Sequence, residues 1–250
     1  MPLKKPIVSD GFSQFCIKHN MLYAAITGSH SWGLERPDSD IDIRGIYGWP
    51  TRRAMSLFPG DDNVETKNDE LDIQAYELAK VLRMLCAANG NIVEMLHNPL
   101  TVCVHQKWGR RLMQLGRRCL TKRLVNYYKG YATSQRKRAM QNRGGKALVY
   151  TYREIFSGIY LMASGEIVFD FADLRQRIEE QWFRSELLGW ALENRQTPIT
   201  MNQLNLFEKE WQYLTMLLNL EWAVSSLPEN EPESFRDDCN SLLYEYRLSA

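Results

Sequence analysis

Between Tyr23 and Tyr47 the sequence YAAITGSHSWGLERPDSDIDIRGIY restricts the possible folds more than any other stretch of the chain. An apolar run from Leu22 to Thr27 meets Gly28-Ser29, and the chain resumes as Asp40-Ile41-Asp42-Ile43. Strand residues two apart point the same way. Asp40 and Asp42 are therefore expected on one face of a strand, with Ile41 and Ile43 buried on the other. Two parallel carboxylates repel and raise each other's pKa unless a cation lies between them. The fitting partner is Mg²⁺, an oxygen-seeking ion that uses one or two protein carboxylates and fills its shell with water and phosphate oxygens; Mn²⁺ is a natural substitute. Gly28 lets the backbone approach closely, and Ser29 is placed to cap a short helix while free N–H groups face outward, where anions settle.

These residues resemble the active-site signature of the DNA polymerase β nucleotidyltransferase superfamily, here Thr27-Gly28-Ser29 followed by Asp40-Ile41-Asp42-Ile43. Neighbouring segments are similar to one branch, the RlaP family of RNA-repair nucleotidyltransferases. They are Asp38-Ser39-Asp40-Ile41-Asp42-Ile43-Arg44-Gly45-Ile46-Tyr47, then Asp72 through Tyr76-Glu77-Leu78-Ala79-Lys80, then Asn91-Ile92-Val93-Glu94-Met95-Leu96. The likeness covers residues 20 to 98 and continues more weakly to about 165. Asn89-Gly90 departs from the Asn-Pro of RlaP-like chains and affects a turn only.

The resemblance implies an α/β (α+β) fold: a polymerase-β-like mixed sheet with helices over residues 1–100, then a mainly helical domain over 101–250, with the cleft between them. It implies a third carboxylate on a strand beside the Asp-x-Asp strand, for which Asp72 is the candidate and Glu65 or Glu70 the substitutes. Asp40, Asp42 and Asp72 would hold two Mg²⁺ ions about 4 Å apart. The substrate would be an NTP, attacked at its α-phosphate by a hydroxyl whose proton Asp72 helps to orient. Gly28 and Ser29 would hold the outer phosphates. Arg44, on the Asp42 face by the period of two, is either their partner or an ion-pair partner for Asp40 or Asp42. Family members commonly offer a lysine to the triphosphate and an aromatic to the base, and Lys146 and Tyr150, one turn apart, match that pair.

The chain has 31 basic and 30 acidic residues, yet their distribution is lopsided. From Met95 to Arg153 there is no Asp or Glu, while fourteen Lys and Arg residues, from Lys107 to Arg153, accumulate within the segment 105–153. Such segregation implies an anionic partner. A nucleotide would use part of it and RNA all of it. No apolar run reaches the ~20 residues that span a bilayer, and MPLKKPIVSDG lacks a signal-peptide core, so a cytoplasmic protein is expected. Five widely spaced cysteines without a C-x-x-C pattern read as reduced core residues. Oligomeric state has no signature.

Elsewhere, residues 10–20 and 77–87 read as amphipathic helices, the latter stopped by Asn89-Gly90. Residues 64–67 and 71–76 read as strands joined at Asn68-Asp69. Ile92 to Leu96 reads as a short helix, with His97 as a cap or rim residue in preference to a metal ligand. Residues 108–142 read as helical with breaks at Gly116 and Gly130, and 147–162, 171–192, 201–225 and 234–248 as further helices. Trp182, Trp190, Trp211 and Trp222, at helical spacing among leucines, read as packing residues.

Two rivals stand beside RNA 3′-end modification: transfer of a nucleotide to a protein or small molecule, and a catalytically silent nucleic-acid-binding module. Filled positions at Asp40, Asp42 and Asp72 argue against the second.

Overall fold

In the computed structural model, which describes Leu3 and residues 10–67, 71–142 and 144–249, the alternation seen in the sequence becomes a five-stranded sheet. Its strands are β1 (Met21–Thr27), β2 (Ile41–Tyr47), β3 (Asn63–Lys67), β4 (Leu71–Glu77) and β5 (Thr101–Val104), in the spatial order β3-β4-β2-β1-β5. Only the β2–β4 pair is parallel; β1 with β2, β1 with β5 and β3 with β4 are antiparallel. Leu71, Ile73 and Ala75 alternate as buried residues with half-buried Asp72, Gln74 and Tyr76. They join Ile43, Ala24, Ile26, Phe12 and Phe15 in one apolar cluster. The mixed sheet with its many helices is the polymerase-β-like α/β arrangement expected.

The chain divides into two compact units. The first comprises Met1–Leu120 together with Glu231–Ala250, and the second Thr121–Asn230. The first carries the sheet with α1 (Asp10–His19), α2 (Gly28–Ser31), α3 (Thr51–Ala54), α4 (Leu78–Cys86), α5 (Gly90–His97), α6 (Trp108–Arg117) and α12 (Phe235–Ser249). Glu77, 1% exposed, caps α4 by accepting from Ala79 N, and its carboxylate also receives Arg247 of α12 and the Trp49 amide. The second holds α7 (Leu124–Asn142), α8 (Gly145–Ser164), α9 (Phe171–Gln181), α10 (Glu186–Glu193) and α11 (Met201–Val224). There Tyr152, Ser185 and Glu210 share a buried hydrogen-bonded cluster, and burial pushes the Glu210 carboxyl up.

Several local expectations need correction. Ala88, at φ +52°, takes the left-handed position after α4, while Asn89 caps α5 and Gly90 begins it. The break in the 108–142 stretch lies between Arg117 and Leu124, and Gly116 and Gly130 sit inside helices. Residues 171–192 form two helices, because the Ser185 hydroxyl accepts from Leu188 N and starts a new one. β5 was not anticipated. The Asn68-Asp69 turn and Glu70 lie outside the described residues. None of the five cysteines is in a disulfide, and Cys119 and Cys239 are buried. Trp222 is 41% exposed, so packing accounts for only part of its surface.

Candidate active site

Strand register assembles the site. Thr27 of β1 faces Asp42 of β2, Asp42 faces Asp72 of β4, and Asp72 faces Lys67 of β3, so one rung crosses four strands. Side chains in one rung share a face when the strands share a pleat. Asp40 immediately precedes β2. Arg44, two residues past Asp42, places Nη1 3.0 Å from Asp72 Oδ1 and Nη2 3.5 Å from Asp42 Oδ1. Its Nη1 also donates to the carbonyls of Ile43 and Asp72, each at 3.3 Å. Lys67 Nζ lies 3.3 Å from Asp72 Oδ2 and 3.8 Å from Asp40 Oδ2. Asp40, Asp42 and Asp72 are thus drawn together by two cations.

Gly28 makes the remaining contact. Its φ is +65°, a conformation that side chains disfavour, and a Cβ there would lie 2.2 Å from Asp42 Oδ2. The expected close approach exists, and in the protein alone its partner is the Asp42 carboxylate. Ser29 does not cap the turn. Thr27 occupies the cap position without a side-chain cap bond, and Ser29 sits inside α2, its carbonyl accepting from the amides of Trp32 and Leu34. The end of β1 is held from behind by buried Asn98, whose Nδ2 donates to Ile26 O at 2.7 Å.

Electrostatics separates the acids. Burial pushes the Asp42 carboxyl above the usual carboxylate range; Arg44 opposes this, Asp40 and Asp72 reinforce it, and Lys67 opposes it again. Burial acts upward on Asp72 as well, but the hydrogen bonds and charge of Arg44 and Lys67 hold it below its ordinary value. The three acids form a hard-oxygen donor set of the kind Mg²⁺ takes, with one carboxylate oxygen in the notch that a side chain at position 28 would fill. The residues fit such an ion. As they stand, Arg44 and Lys67 lie among the acids, and among the described residues no three acidic, histidine or cysteine side chains are already gathered around a common ion position.

Glu65 is placed one step along the same face, opposite Gln74, and accepts from the Gln74 amide. It does not touch the three aspartates. Lys146 and Tyr150 belong to the second unit, on the first turns of α8: Lys146 is exposed, with its ammonium 5.9 Å from the centroid of the half-buried Tyr150 ring. His97 is the last residue of α5 and Asn98 takes the cap position; the His97 ring is held by its own helix, Nδ1 2.8 Å from Val93 O. Lys67 is the site residue that sequence reasoning passed over. Symmetry about the turn expected at Asn68-Asp69 sets Lys67 opposite Glu70, whereas the observed register pairs it with Asp72, so the sequence carried no direct signal for this contact.

The basic segment is less open than its composition suggests. Lys107 and Arg111 pair with Glu245, Arg118 with Asp238, Lys122 with Glu229 and Arg136 with Glu208, while Arg153 is buried against Glu154. Arg110, Arg117, Lys129, Lys137, Arg138 and Lys146 remain exposed at the surface.

Comparison with protein families decides the assignment: the profile of RlaP, described as the RNA repair pathway DNA polymerase beta family, matches residues 6–245. The chain belongs to the RlaP family. At the level of that family, polymerase-β-like nucleotidyltransferases of RNA repair are its kin. A curated relative, the uncharacterized protein YcgL of Bacillus subtilis (strain 168), is 35% identical over 81 residues. That match takes in 32% of this chain and 31% of YcgL, about a third of either protein. No helix among the described residues is long and apolar enough to cross a membrane.

Proposed function

We propose that this RlaP-family protein is a metal-dependent nucleotidyltransferase that moves a nucleoside monophosphate from an NTP to the 3′ hydroxyl of RNA, breaking the α–β phosphoanhydride and releasing pyrophosphate. The observation that carries the reading is the rung in which Asp42 and Asp72 stand side by side, with Asp40 joined through Lys67 and Gly28 notched around Asp42. Asp40, Asp42 and Asp72 would hold Mg²⁺ or Mn²⁺, which when bound supplies charge neutralisation for the phosphates and lowers the pKa of a coordinated hydroxyl.

The protein's own groups divide the remaining work. Arg44, anchored by two backbone carbonyls, fixes the carboxylates of Asp42 and Asp72 relative to each other. Gly28 keeps the Asp42 oxygen at the rim of the turn. Asp72, held ionised by Arg44 and Lys67, is suited to accept a hydrogen bond from an attacking hydroxyl and so align it. Ser29 and its neighbouring amides are the proposed contacts for the outer phosphates, and Lys146 with Tyr150 the proposed triphosphate and base contacts of the second unit.

Pairing of Lys107, Arg111, Arg118, Lys122, Arg136 and Arg153 with acids of this chain reduces the surface available to a polynucleotide. That observation favours a second reading in which the acceptor is a protein or small molecule. Incubation with α-³²P-labelled NTPs, Mg²⁺ or Mn²⁺, and either RNA or cell lysate separates the two. Label on RNA 3′ ends that disappears in Asp42→Asn and Asp72→Asn supports the first reading. Label only in protein bands or small molecules overturns the RNA acceptor, and turnover that survives both substitutions overturns the enzyme itself.

A further inference from the structure

The two cations at the acidic site are held in different ways. Arg44 is 28% exposed and its guanidinium donates to the backbone carbonyls of Ile43 and Asp72 as well as to the carboxylates, so it is built into the sheet. Lys67 ends β3 with a side chain 68% exposed, and among the described residues its ion pairs are with Asp72 and Asp40. Its position is nevertheless fixed at the backbone, because Lys67 and Asp72 are paired across the β3–β4 ladder. An ammonium on a flexible four-carbon stem, well hydrated once released, leaves such a place at small cost.

We propose that Lys67 is the resident counter-cation of this site, which a divalent ion must displace from Asp40 and Asp72, so that Lys67 sets how tightly the ion binds. The inference rests on the reading of the three aspartates as ion-holding groups. It follows from charge and place together. Lys67 is the group that connects Asp40 to Asp72, at 3.8 and 3.3 Å, and a divalent ion shared by the two carboxylates needs the oxygens that the ammonium occupies. A bound ion and an undisplaced ammonium would also repel each other at close range. Arg44, bound to the opposite Asp72 oxygen, Oδ1, and to the backbone, can stay where it is.

The test is Mn²⁺ titration of nucleotide-free protein followed by electron paramagnetic resonance, which reads ion affinity without turnover. Lys67→Met and Lys67→Gln are expected to bind Mn²⁺ about fivefold more tightly than the wild type at low salt, the scale of a partly exposed ion pair. Lys67→Arg, which keeps the charge, is expected to stay near the wild type, and added salt should narrow the gap. Unchanged or weaker binding in both neutral variants would overturn the proposal. Asp42→Asn and Asp72→Asn are titrated in parallel. If they weaken Mn²⁺ binding while the Lys67 variants leave it unchanged, only the role of Lys67 falls; if they bind as the wild type does, the ion-holding reading falls and this proposal with it.

Discussion

A methyl group at position 28 would meet Asp42 Oδ2 at 2.2 Å on a backbone with φ +65°, so Gly28→Ala has to move either the turn or the carboxylate. Displacing a reacting group by about 1 Å costs on the order of 100-fold in rate. Nucleotidyl transfer by Gly28→Ala is accordingly expected to fall about 100-fold while the melting temperature shifts by only a few degrees; near-wild-type turnover would show that Asp42 has room the notch denies it. His97 gives a different residue-scale prediction. Burial lowers its pKa from 6.5; the Val93 carbonyl opposes this, Arg117 lowers it further and Glu94 raises it. The carbonyl can only accept, so Nδ1 carries the proton, and Nε2 is buried with no hydrogen-bond partner among the described residues. The folded state therefore prefers the neutral ring. Stability from this group is complete above about pH 6.5 and is lost as pH falls from there through the lowered folded pKa. Urea unfolding at about pH 7.5 and 5.5 should show a loss in the wild type that His97→Asn, which keeps a donor toward Val93, largely lacks. Equal losses would contradict it.

At the scale of elements, two glycines read alike in the sequence and prove unlike in place. A Cβ at Gly116 of α6 would stand 2.8 Å from Leu96 Cβ, while one at Gly130 of α7 would meet nothing within 4 Å. Gly116→Ala should destabilise by about 1–3 kcal/mol through overpacking, and Gly130→Ala should stabilise by about 0.5–1 kcal/mol through helix propensity; chemical denaturation measures both, and effects of the same sign would refute the placement. Helix breaks were hard to place because a glycine in a sequence does not say whether it bends the backbone or admits a neighbour. β2 and β4 were legible for the opposite reason: Ile41, Ile43, Leu71, Ile73 and Ala75 alternate with polar residues, and only a strand satisfies that period. β5 escaped notice because TVCV is four residues long and has no alternation. The acids of the site were legible through the same alternation. Lys67 was not, since its role depends on cross-strand register, and the part played by Ser29 changed because Thr27 holds the cap position.

For the molecule as a whole, the sequence could not reveal that its last helix belongs with its first hundred residues. Arg247 donates to Glu77 and to Trp49 O, Thr51 donates to Arg247 O, and Asn20 donates to the Tyr246 hydroxyl at 2.7 Å. The Arg247–Glu77 pair spans 170 residues of chain. Arg247→Ala would leave the Glu77 carboxylate, 1% exposed, short of its cation. Losing one partner of a buried pair costs about 3–5 kcal/mol, so equilibrium unfolding should show the sheet-bearing unit weakened on that scale. A change under about 1 kcal/mol would mean that α12 contributes little to it. The charge segregation takes on a similar cast at this scale, since acids of α11, α12 and the 228–233 loop neutralise part of the basic stretch.

The central claim is that Asp40, Asp42 and Asp72 together form an ion-binding centre beside Gly28, and anomalous diffraction from crystals soaked in Mn²⁺ tests it most directly. The account predicts an anomalous peak in contact with carboxylate oxygens of Asp42 and of at least one of Asp40 and Asp72, with Lys67 turned away. Mn²⁺ bound elsewhere, with these three carboxylates still closed on Arg44 and Lys67 at saturating ion, would contradict it.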